Sequence, residues 1–458
     1  MTIPKLPFIT KPKAKTIIVE IIRESEYAAW LKKQGKIVQT LVEQTGFSPA
    51  GAQTLIHGDR VYAGIKDDTQ IYDTPPSVEA IKKHFGKDFL KTASFVLEGS
   101  GDLTAAVIGW GLACYRFDSY KETIASPLLV WPKTADKKRA QAVLESIYLI
   151  KTLINTPAGD LSPQDMEDTA RAISDDFSAA LKVTKGKPLE KGFPLVHMVG
   201  KAAEHGPRLL AITWGKSTHP ALTIVGKGVT FDTGGLNIKP TQYMAHMKKD
   251  MGGAAHALAL GRLVMALKVP VYLRVVIPAV ENSIAANAFR PGDIATSRKG
   301  ITVENTNTDA EGRLILADAL TYACESSPDL LIDFATLTGS ARAALGPDIP
   351  AMFATKDSTG EALQSLSMDV HDPVWRMPLW NAYKKHIESS NADLHNSAGL
   401  PGDLMYSALF LKQFVDDNAD WVHLDCYAWE HSGKAGRPRG AADTGLLATL
   451  ALIEDRYA

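Results

Sequence analysis

The sequence predicts an α/β protein of two domains, in which the larger, carboxyl-terminal domain is built around a mixed, mostly parallel sheet. The first observation is length, because 458 residues exceed what a single hydrophobic core usually organises. The second is that apolar strand-like segments alternate with helical segments after about residue 156, which is typical of helices packed around a largely parallel sheet. The third is a proline-flanked, charged stretch that separates two regions of different character.

Composition and charge exclude several classes of protein. Hydrophobic residues make up 45% and charged residues 22%, and the formal net charge is -1, so no basic excess indicates a nucleic-acid or membrane-surface partner. Three widely spaced cysteines (Cys114, Cys324 and Cys426) provide neither a disulfide framework nor a CxxC metal site, which favours a reducing cytoplasm. The basic amino terminus lacks the apolar core of a secretory signal, and no apolar run approaches the roughly 18 residues of a membrane span.

Residues 1–135 are predicted to form the amino-terminal α/β domain. TIIVEII (16–22) is typical of a strand, and AAWLKKQG (28–35) and PSVEAIKKHFG (76–86) are typical of helices. TAAVIGWGLACYRF (104–117) is interpreted as a buried strand followed by a helix. The region has no dense cluster of His, Asp or Glu, so the chemistry is expected elsewhere.

A linker helix is predicted over 136–157. Pro127 and Pro132 break the preceding structure, and the charged segment that follows has its apolar residues at helical spacing. Pro157 is expected to end the helix.

The catalytic domain is predicted over 158–458. Its predicted strands are RLLAITW (208–214), ALTIVGKGVTF (221–231), VYLRVVIPAV (271–280), DLLIDFATL (329–337) and WVHLDCYAW (421–429). Helices are predicted between them, including AAHALALGRLVMAL (254–267) and RLILADALTYACE (313–325). Active sites of such sheets lie at the carboxyl ends of the strands.

Three motifs fall on strand-to-helix connections: VGKGVTFDTGGLNIKP (225–240), MKKDMGGAAHA (247–257) and NTDAEGRL (307–314). They offer four carboxylates, two unusual lysines and an arginine. Carboxylates gathered in one pocket need positive charge, which two divalent ions about 3.5–4 Å apart would supply. Asp309 and Glu311 are expected to alternate across an extended segment, with a bend at Gly312 that turns both inward. Zinc, manganese, magnesium and cobalt all suit such ligands.

Each piece also has a structural interpretation when it is taken alone. Asp250 beside glycines is typical of a helix cap, and TDAE is typical of a capping box. A lysine at a strand end usually reaches for solvent, and the GKG and TGG stretches match no nucleotide-binding motif. The occurrence of all of them on one predicted sheet rim favours the functional interpretation.

The three motifs together resemble those of the leucyl aminopeptidases, also called cytosol aminopeptidases. NTDAEGRL is that family's hallmark and is unbroken, and INTPAGDLSP (154–163) and DFATLTGSA (333–341) resemble its flanking segments. The resemblance covers roughly 140–458. The segment HLDCYAWEHSGKAGRPRGAADTG (423–445) is more similar to the peptidase B-like branch.

The resemblance implies a site of two divalent metal ions and a bicarbonate ion. One metal ion would be held by Lys227, Asp232, Asp250 and Glu311, and the other by Asp232, Asp309 and Glu311. Lys239 would polarise the scissile carbonyl, and Arg313 would hold bicarbonate, the general base. The substrate pocket would include Met247, Asn307, Thr336 and the backbone of Leu337.

The implied function is a metal-dependent aminopeptidase of peptide catabolism, with manganese or zinc, or else magnesium or cobalt. A water activated by two metals would attack the first peptide bond, with a broad preference for apolar amino-terminal residues. The resemblance further implies a macro-like amino-terminal domain, a cytoplasmic homohexamer built as a dimer of trimers, and peptide substrates. Two alternatives stay open: another two-metal hydrolase such as a phosphoesterase, and an additional DNA-binding role, which the net charge does not support.

Overall fold

The structure is a computed structural model that describes residues 3–68, 70–122 and 124–458. The chain divides into two compact units. The smaller unit comprises the residues up to Tyr148 together with Glu430–Arg439, and the larger comprises Leu149–Trp429 together with Gly440–Ala458. Both units combine helices with a sheet, as the sequence predicts.

The smaller unit contains a six-stranded sheet. Its strands are β1 (Phe8–Ile9), β2 (Lys15–Arg23), β3 (Thr54–His57), β4 (Arg60–Ile65), β5 (Ala93–Glu98) and β6 (Leu129–Val130). Its helices are α1 (Tyr27–Lys33), α2 (Lys36–Thr45), α3 (Pro75–Thr92) and α4 (Thr104–Cys114). The strand order is β1-β6-β5-β2-β4-β3, and the neighbouring strands are parallel except β3 and β4, which form an antiparallel pair.

Three of the four segments predicted in this unit have the expected structure. TIIVEII lies within β2, the segment 28–35 largely coincides with α1, and 76–86 forms the first part of α3 up to Gly86, whose φ of 69° interrupts the helix. The prediction of a strand followed by a helix over 104–117 is wrong, because α4 occupies the segment from its start. This helix is buried on nearly every side, so its sequence lacks the amphipathic period that distinguishes a helix from a buried strand.

The chain passes from the smaller unit to the larger within helix α5 (Lys137–Asn155). The helix lies inside the predicted range 136–157, and Pro157 follows its end. The domain limits 1–135 and 158–458 stay predictions.

The elements that follow α5 alternate as the sequence predicts. The strands are β7 (Ala180–Lys185), β8 (Arg208–Trp214), β9 (Ala221–Gly226), β10 (Gly228–Asp232), β11 (Tyr272–Asn282), β12 (Ile294–Thr296), β13 (Thr302–Glu304), β14 (Leu330–Ala335), β15 (Ala351–Ala354), β16 (Trp375–Arg376), β17 (Leu394–His395), β18 (Trp421–Asp425), β19 (Trp429–Glu430) and β20 (Gly440–Ala441). The helices are α6 (Pro163–Asp176), α7 (Lys187–Gly192), α8 (Pro194–Gly200), α9 (Thr241–Met244), α10 (Gly252–Leu267), α11 (Glu311–Cys324), α12 (Gly339–Leu345), α13 (Asp357–Asp369), α14 (Asp403–Lys412) and α15 (Leu446–Tyr457).

The main sheet of the larger unit is mixed and mostly parallel, which confirms the predicted fold class. Its order is β16-β15-β18-β14-β9-β11-β8-β7, and β10 also pairs with β11. The central strands β18, β14, β9 and β11 run parallel, whereas β15 and β8 are antiparallel to their neighbours β18 and β11. A second, three-stranded sheet has the order β12-β13-β17.

Helices α10 and α11 pack against the central strands and bury them. Strand β14 is buried along its whole length, as parallel strands covered on both faces usually are. α10 and α11 are themselves mostly buried, so the helix starts that carry the motif residues are fixed by core packing. Within the described residues, no helix is long and apolar enough to cross a bilayer.

Candidate metal centre and active site

Lys227 lies at a break between two strands that both pair with β11. β9 ends at Gly226 and β10 begins at Gly228, and both run parallel to β11. The N–H of Lys227 donates to the carbonyl of Phe334 at 3.0 Å, and its own carbonyl accepts from the N–H of Ala254 at 2.8 Å. These bonds tie the break to the end of β14 and the start of α10. The lysine is therefore fixed where the carboxyl ends of the central strands meet.

Two glycines leave space for this lysine. A Cβ at Gly253 would lie 2.1 Å from the carbonyl oxygen of Phe334 and 2.8 Å from the nitrogen of Lys227. A Cβ at Gly312 would lie 2.4 Å from Cε of Lys227. Close approach, rather than an unusual backbone conformation, therefore requires glycine at both positions.

The ammonium group of Lys227 is surrounded by acceptors. Its Nζ is 2.8 Å from Oδ2 of Asp250 and 3.0 Å from Oε1 of Glu311, and it donates to the carbonyl of Thr336 at 2.9 Å. The residue is 3% exposed. Burial alone would lower the pKa of Lys227, but the carboxylates of Asp250, Glu311 and Asp232 outweigh it and raise the pKa above its usual range.

Asp232 and Lys239 face each other across a tight loop. Nζ of Lys239 is 2.8 Å from Oδ2 of Asp232 and also pairs with Asp309. The other oxygen, Oδ1, accepts from the N–H of Gly234 at 2.9 Å and from Nδ2 of Asn282 at 2.8 Å. Gly234 has a φ of 87°, which lets the chain turn back so that Lys239 returns to Asp232. Burial would lower the pKa of Lys239, but the facing carboxylates, with Asp232 first, raise it.

Asp309 and Glu311 reach the same cluster from a turn and a helix start. The prediction of an extended segment bent at Gly312 is wrong, because Asp309 lies in a turn, Glu311 is the first residue of α11 and Gly312 is the second. Carboxylate oxygens of Asp232, Asp309 and Glu311 all lie within 4.8 Å of one another. Burial, followed by the charge on Asp232, raises the pKa of Asp309 to about 6 and raises the pKa of Glu311 well above its usual range.

The cluster has the chemistry of a site for divalent cations. Four carboxylates face two lysines, so the fully ionised cluster has two more negative than positive charges. Oδ2 of Asp250 and Oδ1 of Asp309 are buried, and each faces the ammonium group of a lysine. Buried carboxylate oxygens of this kind are good ligands for hard cations. The donor set therefore fits divalent metal ions.

Arg313 lies two residues beyond Glu311 and is 3% exposed. Its Nη1 donates to the carbonyl of Asn396 at 2.7 Å. Its Nη2 donates to both carboxylate oxygens of Asp403, at 2.9 and 3.1 Å. A carboxylate of the chain thus occupies one nitrogen of the guanidinium that is expected to bind bicarbonate, whereas Nε is buried without a hydrogen-bond partner among the described residues. The bicarbonate ion stays a prediction.

The residues predicted for the substrate pocket have varied environments. Met247 begins a short 3-10 helix and is half-buried. Oδ1 of Asn307 accepts from the N–H of Asp309 at 2.9 Å, so Asn307 shapes the turn that carries a carboxylate of the cluster. Oγ1 of Thr336 donates to Oδ1 of Asp250 at 2.9 Å. The N–H of Leu337 is used by Asp425 Oδ1 at 2.9 Å, so a peptide that bound this N–H would compete with that carboxylate.

Three polar residues of this region were missed by the sequence prediction. Asn282 supports Asp232, as described above, and Asp403 pairs with Arg313. Asn396 holds the loop before Asp309, because its Oδ1 accepts from the N–H of Thr306 at 2.8 Å and its Nδ2 donates to the carbonyl of Asn307 at 2.7 Å. An asparagine far along the chain has no local pattern that distinguishes it from a turn residue, so a single sequence could not have indicated this role.

Comparison with known proteins assigns both parts of the chain. Residues 148–450 match the catalytic domain of the cytosol aminopeptidase family, and residues 17–130 match the M17 aminopeptidase N-terminal domain. A probable cytosol aminopeptidase of Syntrophotalea carbinolica is 35% identical, covering 92% of this chain and 89% of that protein. One from Rhodococcus jostii is 37% identical, covering 77% of this chain and 74% of that protein.

Solved structures agree with these relatives. The crystal structure of cytosol aminopeptidase from Coxiella burnetii has a TM-score of 0.90 and 38% sequence identity, covering 99% of this chain and all of that one. The bottromycin maturation enzyme BotP in complex with Mn has a TM-score of 0.85 and 28% identity, covering 96% of this chain and 99% of that one.

Fold, carboxylate cluster and relatives together define a metal-dependent aminopeptidase, an exopeptidase that hydrolyses the amino-terminal peptide bond of its substrates. The chain belongs to the cytosol aminopeptidase family. The three motifs had predicted this family, and the prediction is confirmed.

Proposed function

We propose that this aminopeptidase binds two divalent metal ions per subunit through five side chains. The observation that carries the proposal is the convergence of these groups in one buried cluster. One ion would contact Lys227, Asp232, Asp250 and Glu311, and the other Asp232, Asp309 and Glu311. Asp232 and Glu311 would then bridge the two ions.

The donor set favours hard or borderline cations but does not select one. Manganese and zinc are the first choices, and magnesium and cobalt also suit an oxygen-rich site with one amine ligand. The relative BotP has been solved in complex with Mn. When bound, the two ions would supply the positive charge that polarises the substrate carbonyl and lowers the pKa of the attacking water.

The two lysines are proposed to have different roles. Lys239 would keep its proton, because facing carboxylates raise its pKa, and it would donate a hydrogen bond to the oxyanion that develops on the scissile carbonyl. Lys227 would have to lose its proton to become a ligand, so metal loading of the site should release a proton. Thr336 would hold Asp250 in place through the bond to its carboxylate.

The residues around Arg313 do not fit a bicarbonate ion as well as the five ligands fit metal ions. Bicarbonate needs two donors on one edge of the guanidinium, but Nη1 and Nη2 already donate to the carbonyl of Asn396 and to Asp403, so Nε is the one nitrogen of Arg313 left without a hydrogen-bond partner in the part of the chain that the structure describes. No step of the reaction is therefore assigned to bicarbonate. Arg313 is still proposed to contribute to the reaction, by positioning the groups that it contacts.

The preferred substrates are proposed to be peptides with varied, mostly apolar amino-terminal residues. Met247, Asn307, Thr336 and Leu337 would line the pocket, and a methionine at its wall tolerates different shapes. Trp429 lies in the segment that resembles the peptidase B-like branch. Its ring stacks on that of His246, with 5.1 Å between the ring centroids, and His246 directly precedes Met247 in the chain. This contact is expected to shape the preference for the first residue.

The protein is further proposed to work in the cytoplasm as a homohexamer arranged as a dimer of trimers. Its three cysteines are free and buried, which fits a reducing compartment. The resemblance to the family supports the hexamer and a role of the amino-terminal domain in assembly.

Metal analysis combined with a substrate panel tests the proposal. Purified protein should contain close to two divalent ions per chain by mass spectrometry. With manganese it should hydrolyse aminoacyl p-nitroanilides, with apolar residues favoured, and leave p-nitrophenyl phosphate intact. Phosphate ester hydrolysis without aminopeptidase activity would instead support the phosphoesterase alternative. One ion or none in an active protein would overturn the two-metal site.

A further inference from the structure

Arg313 is neutralised by a carboxylate that comes from a distant part of the chain. The guanidinium is nearly fully buried, so its charge needs a close partner. Asp403 supplies that partner through both carboxylate oxygens, 90 residues further along the chain. Carboxylate and bicarbonate are both planar anions that a guanidinium can bind. Both oxygens of Asp403 accept from the same nitrogen, Nη2, and Nε is buried with no hydrogen-bond partner within the described ranges of the chain.

Asp403 is held in place by its backbone. It is the first residue of α14, and the preceding Gly402 has a φ of 95° that allows the sharp entry into the helix. The next N–H, of Leu404, donates to Oγ of Ser340 at 2.8 Å. That hydroxyl donates to Oγ1 of Thr338 at 3.2 Å, in the loop that begins at Thr336. The start of α14 is thus attached to the loop proposed to flank the substrate.

The contact of Asp403 with Nη2 disfavours a second anion on the edge formed by Nε and Nη2. A bicarbonate ion at Nη2 would have to displace the carboxylate or lie beside it, and two like charges in contact repel. The side chain of Asp403 is 40% exposed whereas that of Arg313 is 3% exposed, so solvent reaches the carboxylate far more readily than the guanidinium.

We propose that Asp403 is a built-in anion for Arg313, which takes the place of bicarbonate and makes the reaction independent of it. The proposal rests on the aminopeptidase function proposed above and concerns the same site. Asp403 acts through Arg313 as a positioning residue. Its carboxylate balances the buried guanidinium and fixes the orientation of Arg313 beside the start of α11.

Chemical rescue tests this role. Turnover is measured in carbon-dioxide-depleted buffer with and without added bicarbonate, on manganese-loaded wild type, Asp403→Ala and Asp403→Asn. Wild-type turnover should change less than about twofold, whereas Asp403→Ala should fall by about tenfold to a hundredfold and recover with bicarbonate but not with chloride. Asp403→Asn should fall without rescue, because its amide lacks the charge but still fills the space.

Controls separate the role of Asp403 from a general effect on folding or charge. Asp417→Asn removes a fully exposed carboxylate that pairs with Lys412 of α14, and it should leave turnover and bicarbonate response unchanged. Metal content of Asp403→Ala should stay at the wild-type value, whereas its unfolding temperature should fall, because the buried guanidinium loses its partner, and should recover when bicarbonate is added. Binding of ¹³C-bicarbonate, followed by NMR, should be seen in Asp403→Ala and should disappear when Arg313→Ala is added.

The outcomes distinguish this inference from the proposed function. Bicarbonate activation of wild type as strong as that of Asp403→Ala would overturn it, as would a folded, metal-loaded Asp403→Ala that bicarbonate does not rescue. If wild type hydrolysed no aminoacyl substrate, the proposed function would fail. The binding comparison would then still decide the inference, because bicarbonate bound equally to wild type and Asp403→Ala would refute it.

Discussion

At the scale of single residues, two lysines in one carboxylate cluster have different surroundings. Lys227 is buried and contacts Asp250, Glu311 and a backbone carbonyl, and these contacts support its proposed role as a ligand. Lys239 is on a loop, pairs with Asp232 and Asp309, and its side chain is 13% exposed, so it remains accessible from the substrate side. The proposed division of roles follows from these contacts.

Lys239→Ala is expected to lower kcat by about a hundredfold to a thousandfold, because it removes a preorganised donor to the developing oxyanion. Metal content should stay near two ions per chain, since Lys239 is not a proposed ligand. Steady-state kinetics and metal analysis of the same sample check both statements. Loss of metal in this variant would show that Lys239 has a structural role. Lys216→Ala, at an exposed site, is the control and should behave as wild type.

Glu311→Gln is expected to lose both metal ions and all metal-dependent turnover. The substitution keeps the shape of the side chain but removes the charge that a bridging ligand provides. Metal content after dialysis and p-nitroanilide hydrolysis measure the effect. Glu325→Gln, just beyond the end of α11 and paired with Arg298, is the matched control and should retain both metals. Wild-type turnover in Glu311→Gln would rule out the ligand assignment.

The motif residues could be predicted because they stand in local patterns, whereas their supports could not. Asp232, Asp250, Asp309 and Glu311 lie within three residues of a glycine at strand-to-helix connections, and the structure brings all four to Lys227 or Lys239. Asn396 makes its contacts across about 90 residues of chain, and such long-range pairing leaves no periodic signal in one sequence.

At the scale of secondary structure, most strands of the main sheet were predicted, but the break between β9 and β10 at Lys227 was not. ALTIVGKGVTF is a nearly continuous apolar run, which predicts one strand. The structure divides it into β9 and β10 at Lys227, where the N–H still bonds to Phe334 of the neighbouring β14 but the carbonyl accepts from Ala254 at the start of α10. The hydrophobic pattern of a sequence indicates which residues are buried. Both β9 and β10 are buried, so the pattern could not have indicated the break between them.

Gly312→Ala in α11 separates helix propensity from packing. Alanine stabilises an unobstructed helix by about 1 kcal/mol relative to glycine. We expect the opposite here, a loss of about 1–3 kcal/mol and weaker metal binding, because the new Cβ would overlap Cε of Lys227. Denaturant unfolding and metal titration measure both effects. Gly339→Ala, at the start of α12 with nothing within 4 Å of its Cβ, should cause no comparable loss. If Gly312→Ala had a higher free energy of unfolding than wild type, Lys227 would be able to move away from the new Cβ without a cost in stability.

At the scale of the whole molecule, the sequence predicted two α/β units and located the chemistry in the larger one. The smaller unit gave fewer signals, because α4 is apolar on nearly every side and resembles a strand in sequence. In the larger unit, buried central strands and the helices packed on them place the three motifs at one rim. Core packing thereby keeps together acidic groups that repel one another.

That repulsion should make the stability of the metal-free protein depend on pH. The pKa of Asp309 is raised from its ordinary value to about 6 in the folded protein, through burial and the charge on Asp232. A raised folded-state pKa means that the folded protein binds this proton more tightly than the unfolded chain. The stabilisation is fully present below about pH 4 and is lost as the pH rises through about 6, with an expected size of about 1–3 kcal/mol. Glu311, whose pKa is also raised, adds an effect of the same sign.

Metal binding should reverse this dependence, because divalent ions bind the deprotonated carboxylates and stabilise only the folded state. The unfolding temperature of the metal-free protein is measured at pH 5 and pH 7 for wild type and for Asp309→Asn. The difference between the two proteins isolates the titration of Asp309, and it should favour wild type more at pH 5 than at pH 7. With manganese at about a hundredfold above its dissociation constant, wild type should gain about 3 kcal/mol at pH 7, and Asp309→Asn should gain much less. Equal pH profiles for metal-free wild type and Asp309→Asn would show that this carboxylate is not strained by its neighbours. In that case repulsion between the carboxylates would not favour a cation at Asp309, and the proposal of a second metal ion there would be wrong.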